Sequence, residues 1–556
     1  MTGSTLAIGG ASGYWGDAPG ATAQLLTHEG LDFLVYDYLA EITLSILARA
    51  RFADPDAGYA TDFVTAAMAP NLATIAAKGV RVVSNAGGVN ADACAQALRG
   101  LIRESGLALK VAVIRGDDLA ARVPEFAGCT DSPPLHEMFS GEGFPPPERV
   151  ASVNAYLGAF PIAAALDGGA DIVITGRCVD SAVTLGACIH YFGWAADDLD
   201  RLAQGSLAGH ILECGTQASG GNFTDWESVA DSLWNAGYPI AEITRDGAFT
   251  VTKPEGTGGR VLVGTVSEQM LYEIGDPRCY TLPDVVCDFS EVRLAAIGKD
   301  RVRVSGARGT GRPEMLKACA TWADGYRAGQ VWTMVGRNAA HKARAFADGV
   351  LQRTAQELAA SGLPPLSETS VELPGSESQF SPLLRQSALR EVDVKIAVKH
   401  PSAAGVALFL KEMTGHALAA PPGLCSFAGA RARPSPVMRL FSFRVPASSV
   451  AVDVDIEGDC SLCAPPPAVP PRDLPPAPGL PRPHGPVDGS MLAVPLESLA
   501  WARSGDKGDK ANIGVIAREI EFLPYIANAL TAAAVAECFV HFLAPGQARP
   551  VERFYL

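Results

Sequence analysis

At 556 residues, with 48% hydrophobic and 19% charged residues, the chain is long enough for two or three globular domains. Its net charge of −15 argues against nucleic-acid binding as the main activity, while local arginines and helix N-termini can still hold an anion. No apolar run reaches the roughly 18 residues that span a bilayer, Met1-Thr-Gly-Ser-Thr5 offers no basic leader, and twelve irregularly spaced cysteines suit reduced thiols, so the expectation is a cytoplasmic protein with no membrane partner.

The first two hundred residues alternate strand-like and helix-like segments. Thr5–Ile8, Phe33–Tyr36, Val80–Ser84, Lys110–Ile114 and Asp171–Thr175 read as strands. Asp62–Lys78 and Ala91–Glu104 read as helices, the latter with Ala95, Leu98 and Ile102 at helical spacing. This rhythm predicts an α/β fold, a mostly parallel sheet with flanking helices. From about Gly259 the texture becomes α+β. Arg260–Ser267, Val285–Leu294, Arg301–Ser305 and Val392–Val398 read as β; Pro313–Ala323 and Arg337–Ser361 read as helices. Eleven of the 27 residues in Ala464–Ser490 are proline, which suits an extended linker. A small α+β piece, Met491–Leu556, follows, with a strand at Asn512–Ala517 and a helix over Leu523–Cys538. The expected domains are therefore 1–463, with a sub-boundary near 259, and 491–556, joined by the linker 464–490.

Glycine-rich polar loops follow several of the strands, where α/β sheets bind ligands. Gly9-Gly-Ala-Ser-Gly-Tyr-Trp-Gly-Asp17, with Asp37 about twenty residues on, mimics a dinucleotide fingerprint. The spacing is not G-x-G-x-x-G, and Asp17 puts a carboxylate where pyrophosphate would sit, so a tight turn without cofactor is the competing reading. Asp37 and Glu41, at i and i+4, can serve acid/base or metal roles or simply form a solvated helix face. Ser84-Asn85-Ala-Gly87-Gly88-Val-Asn90 offers backbone N–H groups. In Gly176-Arg177-Cys-Val-Asp180-Ser181, Arg177 can meet an anion at a helix start or pair with Asp180. His210, Glu213 and Cys214 fall at i, i+3 and i+4, a spacing open to a metal, although no second ligand cluster accompanies it. Cys214 can also be a nucleophile, with no base assignable. The following Gly215–Asp225 loop, with Gln217, Gly220, Gly221 and Asn222, is long and polar, which usually signals function. Gly306–Glu314 places Arg308 before an expected helix at Pro313, an anion cradle or a surface turn. Cys460-Ser-Leu-Cys463 is a lone pair and reads as incidental. Ser504–Asn512 is dense in Gly, Asp and Lys, and Lys507 can reach an anion.

Together Gly9–Asp17, Tyr36–Glu41, Ser84–Asn90, Thr175–Ser181, Gly209–Trp226, Lys253–Gly259 with Thr265–Asp276, and Arg503–Ile516 resemble the acyclic terpene utilisation AtuA family. The resemblance covers most of 5–450 and the final piece. It implies an N-terminal AtuA α/β domain, a small C-terminal AtuA-like domain of ferredoxin-like type, and a place in catabolism of citronellol- and geraniol-type terpenes through CoA thioesters. The linker is longer than the resemblance implies. The C-terminal domain ends earlier, at Val551–Leu556, which weakens a site role for Lys507 and leaves a domain small enough to need a partner surface.

The leading expectation is an enzyme, a lyase or hydratase acting on an acyl-CoA or carboxylated intermediate, with CoA entering only as part of the substrate and no other cofactor or metal assigned. Asp37, Glu41 and Glu213 are the acid/base candidates and Cys214 a further catalytic one. Gly13, Asp17, Asn85, Asn90, Asp180, Ser181, Gln217 and Asn222 are candidate substrate contacts. The pairs Gly87-Gly88 and Gly220-Gly221 are candidate oxyanion donors, and Arg177, Arg308 and Lys507 candidate anion holders. A non-catalytic subunit of a CoA-carboxylase-type complex and an NAD(P)-linked oxidoreductase are the alternatives. A homo-oligomer is the default for such an enzyme.

Overall fold

The computed structural model describes residues 5–129, 133–384, 389–427, 429, 432–472, 492–507, 510–543 and 550–554, without the side chains of Glu41, Ser381, Pro382 and Lys507. All five expected strands of the first two hundred residues form. They lie side by side in the order Thr5–Gly10, Phe33–Tyr36, Arg81–Ser84, Ile172–Thr175, Val111–Arg115, every pair parallel. Their centres are buried, as expected of strands covered on both faces, whose sequences are continuous apolar runs rather than alternating ones.

The sheet as a whole is mixed rather than mostly parallel, which corrects the sequence expectation. It has eleven strands. Ile240–Thr244, Phe249–Thr252, Arg301–Ser305 and Arg293–Gly298 extend it beyond Thr5–Gly10, and Val452–Ile456 and Asp459–Cys463 extend it beyond Val111–Arg115, all antiparallel. Parallel neighbours need a crossover helix between them. Ile240–Thr244 and Phe249–Thr252 are separated only by a tight turn with Gly247 at φ +91°, so they pair as a hairpin.

Ala91–Glu104 is a helix with Asn90 at its N-cap, accepting from Ala93 N at 3.4 Å, and it buries Cys94, Ala95, Leu98 and Ile102. Asp62–Lys78 divides into a π-helical turn, Phe63–Met68, and a helix, Leu72–Lys78. Pro70 lies between them and cannot continue a helix. Two expectations reverse. Arg260–Ser267 is not a strand: Val263–Leu271 is a helix started by Thr265, whose hydroxyl accepts from Leu262 N at 2.9 Å. Pro313–Ala323 is not a helix: Met315–Val335 is one long strand. Val285–Leu294 shortens to two strands, Val286–Asp288 and the start of Arg293–Gly298.

The packing divides the chain into two units, Met1–Thr321 with Leu440–Asn528 and Phe554–Leu556, and Trp322–Arg439 with Ala529–Arg553. The second unit carries Glu391–His400 paired with residues 326–335 of the long strand and with Glu368–Glu372. The helices Ala339–Ala360 and Ala403–His416 pack on it around Trp332, Phe346, Ile396 and Phe409. Of the proline-rich segment, 464–472 are described, and Val469 exchanges backbone hydrogen bonds with Arg312; 473–490 lie outside the described residues. Ala500–Lys507 and Lys510–Ala517 form a hairpin. The expected helix Leu523–Cys538 is broken in two at Thr531, which caps Ala532–Cys538. No helix is long and apolar enough to cross a membrane among the described residues.

Candidate active site

The carboxyl ends of four of the five parallel strands lead into loops singled out in the sequence. The first loop folds back on itself through Asp17, which accepts from Gly13 N at 2.9 Å, Ala18 N at 2.6 Å and Tyr238 Oη at 2.6 Å. Gly13 is glycine for closeness: a Cβ there would stand 2.9 Å from the Cys214 backbone. The Gly13 N–H that a pyrophosphate would need is thus taken by a carboxylate.

Asp37 directly follows the second strand, Phe33–Tyr36, and is buried. Its Oδ1 accepts from Asn85 Nδ2 at 2.5 Å and from Leu39 N at 3.3 Å, while Asn85 Oδ1 accepts from Tyr38 N at 2.8 Å. Burial pushes the Asp37 carboxyl well above its ordinary range. The Asp180 and Glu213 charges push the same way, against Arg177 and the Asn85 hydrogen bond. Glu41 begins the helix Glu41–Ala53, and its side chain lies outside the described residues.

Arg177 follows the strand Ile172–Thr175 and is 1% exposed. It stacks over Tyr156 at 4.2 Å and donates to Cys178 O at 2.8 Å and Asp180 Oδ1 at 2.5 Å. The Asp180 pairing that the sequence left open therefore forms, and it fixes the guanidinium beside Asp37. Behind it lies Asp117, which accepts from Arg177 N at 2.8 Å and Asn154 Nδ2 at 2.9 Å and is raised to about 6 by burial. Ser181 is buried against Gly209 and makes no capping hydrogen bond.

His210 and Glu213 come from the last turn of the helix Leu199–Leu212 and its cap. His210 Nδ1 stands 2.8 Å from Glu213 Oε1, and the imidazole is 2% exposed. Nε2 has no hydrogen-bond partner among the described residues. Burial is the largest single influence and pulls the imidazole down, but the charge and hydrogen bonding of Glu213 together with the Glu273 and Asp180 charges outweigh it, so His210 is raised. Cys214 is raised as well, which for a thiol favours the neutral form. Burial and the Glu213 charge hold it as the thiol, which gives a thiolate nucleophile no support. Among the described residues no group of three or more His, Cys, Asp or Glu is arranged to hold a metal.

The remaining predicted residues are mostly architectural. Asn90 also donates to Pro55 O and Ala57 O, both at 2.8 Å. Gly88 (φ +57°) and Gly220 (φ +118°) take left-handed turns. The amides of Gly88, Gly220 and Gly221 bond within their own loops, so they are not the free oxyanion donors the sequence suggested. Asn222, at φ +54°, is exposed. Gln217 accepts from Arg503. Arg308 is not in the cluster. It is exposed on the strand Arg308–Gly311, where Gly309 N bonds Asp200 near the start of the helix Leu199–Leu212. That is about 15 Å from His210 at 1.5 Å rise per residue. With a strand following Pro313, no helix N-terminus backs Arg308. The Lys507 side chain lies outside the described residues.

Sequence reasoning missed Asp117, Tyr156, Glu268, Gln269, Glu273, Tyr280 and Arg503. Asp117 had a signal, since it follows a strand as Asp37 does. Glu268 and Gln269 lie just beyond Arg260–Ser267, the segment misread as a strand. Beside Asp37, the loop from Ala11 to Pro19, Tyr36, Tyr38, Asp62 and Ala66–Ala67 enclose a cleft of about 250 Å³. Ser12, in its wall, donates to Asp37 O at 3.1 Å.

Fold and site together define an α/β protein with a buried cluster of titratable side chains beside the carboxyl ends of a parallel strand set. The chain belongs to the acyclic terpene utilisation family protein AtuA: that family's model matches residues 6–456, and the AtuA ferredoxin-like domain matches 494–554. No curated protein and no solved structure matches it.

Proposed function

We propose that this chain is an acid/base enzyme of acyclic terpene utilisation, acting as a lyase or hydratase on an acyl-CoA or other carboxylated intermediate. Family membership supports the pathway. The observation that supports the chemistry is one cluster in which burial raises the Asp37 carboxyl well above its ordinary range, beside Arg177 and the His210–Glu213 pair. Two groups of displaced acidity in one place are what proton transfer to and from the same substrate requires. In the dehydration direction Glu213 takes the proton from the carbon next to the carbonyl. Asp37 gives its proton to the hydroxyl on the neighbouring carbon, which leaves as water, and a carbon–carbon double bond forms. Arg177 and the raised His210 offset the negative charge that develops on the carbonyl oxygen. The cleft beside Asp37, walled by Ala11, Pro19, Ala66, Ala67 and two tyrosines, has room for about eight water-sized groups of a short or branched alkyl chain.

The test is thermal stabilisation of the purified chain by CoA, short and branched acyl-CoAs, terpenoid acids, NAD(H) and ATP, followed by turnover of whichever thioester binds. At a hundredfold excess over Kd a true ligand adds about 2.7 kcal/mol. The expected outcome is a shift with acyl-CoAs but not with NAD(H), and a loss of turnover on the order of 100-fold or more in Asp37→Asn and in Glu213→Gln. Unchanged turnover in both variants would sink the assignment.

A further inference from the structure

The hairpin Ala500–Lys507/Lys510–Ala517 is built into the same unit as the site. Arg503 projects from its first strand and is 5% exposed. It donates to Gln217 Oε1, to Gly221 O at 2.9 Å and to Glu268 Oε2 at 3.2 Å. Glu268, 2% exposed, holds Thr224 N at 3.0 Å through its other oxygen. On the second strand, Asn512 donates to Leu271 O at 2.8 Å and Ile274 O at 3.1 Å and accepts from Glu273 N at 3.0 Å. Glu273 sits at φ +58°, a conformation a glutamate holds only when its surroundings impose it. The clamped helix, Val263–Leu271, reaches the site directly, since Gln269 Nε2 donates to His210 O at 3.1 Å.

We propose that Arg503 and Asn512 are positioning residues of the active site. They fix the loop after Cys214 and the helix Val263–Leu271 in the one arrangement that sets His210 and Glu213. The proposal rests on the reading of that cluster as the site. A role as structural glue alone accounts poorly for Arg503, because a buried ion pair adds little net stability over apolar residues of the same volume. What such a pair does specify is geometry, and here both ends lie on elements that touch the cluster. The groups facing His210 are Glu213, Glu273, Asp180 and the Tyr280 ring. Of these, Glu273 is the one whose backbone Asn512 holds.

The experiment uses the full chain labelled at its nine histidines, with His210 assigned through His210→Gln. Urea stability, the His210 titration by NMR, and hydrogen exchange over 213–222 are measured for the wild type, Asn512→Ala, Arg503→Lys and the double variant Arg503→Met with Glu268→Met. The double variant removes the ion pair while keeping the space filled, so it folds where Arg503→Met alone strands a buried carboxylate. The expected result has three parts. Exchange over 213–222 is about tenfold faster in the double variant at nearly unchanged urea stability. The His210 midpoint falls by about one pH unit in Asn512→Ala. Exchange is partly restored in Arg503→Lys. An unmoved His210 midpoint together with unchanged exchange in the double variant would overturn the proposal. Neither readout uses substrate or turnover, so failure of the lyase or hydratase reading leaves them standing, and their failure leaves that reading to its own test.

Discussion

Both hydrogen bonds onto the Asp117 carboxylate, from Arg177 N and Asn154 Nδ2, land on Oδ2. An amide oxygen in that place would keep them both. Burial raises the carboxyl to about 6 in the folded chain, against about 3.9 when unfolded. The folded state therefore binds this proton more tightly, and a penalty on stability grows as pH rises from about 4 to about 6 and stays constant above. Asp117→Asn has no such penalty. Its stability relative to wild type, from urea unfolding, is expected to improve by up to about 3 kcal/mol between pH 4 and pH 7. A difference that stays flat across that window would mean the carboxyl is not desolvated. At this scale the sequence marked Asp37, Arg177 and Glu213 as candidates because each is a polar residue beside a glycine-rich stretch or just past a strand. Asp117 has the same placement but only Gly116 before it. Tyr156 and Tyr280 have no local signature, because their approach to Arg177 and His210 is made by elements distant in the chain.

At the scale of elements, the helix pair Ala182–Phe192 and Leu199–Leu212 decides where His210 and Glu213 sit. Gly209 lets the two approach: a Cβ there would lie 2.7 Å from both Ser181 Cα and Ser181 O, which are backbone atoms unable to swing aside. Gly209→Ala gains about 1 kcal/mol of helix propensity and incurs about 1–3 kcal/mol of overpacking. The expected result is a net loss on the order of 1 kcal/mol, with the strain beside His210. Gly100, inside Ala91–Glu104, has nothing within 4 Å of its missing Cβ, so Gly100→Ala is expected to stabilise by about 0.5–1 kcal/mol. Equal effects at the two positions in thermal unfolding would refute the close-packing account. The two misread elements fail for related reasons. Gly264–Leu271 is buried on every side, so no polar face marks the helical period, and Val261-Leu-Val-Gly-Thr-Val266 reads as strand. Pro313 suits a first helical turn, but the segment after it has partners for a strand in other parts of the chain. Tertiary pairing overrides local preference there.

For the whole molecule, the parallel centre was legible and the antiparallel wings were not, because a hydrophobic run shows that a strand exists but not which distant strand it will meet. Arg115 marks one such meeting. It ends Val111–Arg115, opposite Asp453 of Val452–Ile456, and its guanidinium holds Asp92 at 2.7 Å, Asp453 at 2.8 Å and Asp455 at 2.9 Å. Three carboxylates on one cation form a network, which single exposed pairs do not. The site is about a third exposed, so screening limits its worth, and Arg115→Met is expected to lose about 1–2 kcal/mol at pH 7 and low salt. Arg353, more exposed and with Glu412 as its ion-pair partner, is the control, and Arg353→Met is expected to lose about 0.5 kcal/mol or less. The sign with pH follows from Asp455, whose carboxyl Arg115 holds below its ordinary range. Stabilisation is complete above about pH 4 and is lost as pH falls through the lowered folded value. Urea unfolding of Arg115→Met and wild type should thus converge at acid pH and draw closer in 1 M salt. A loss that persists undiminished at pH 3 would assign Arg115 to packing of its aliphatic stem, and the join between the parallel centre and its antiparallel wing would then rest on backbone pairing and apolar contact alone.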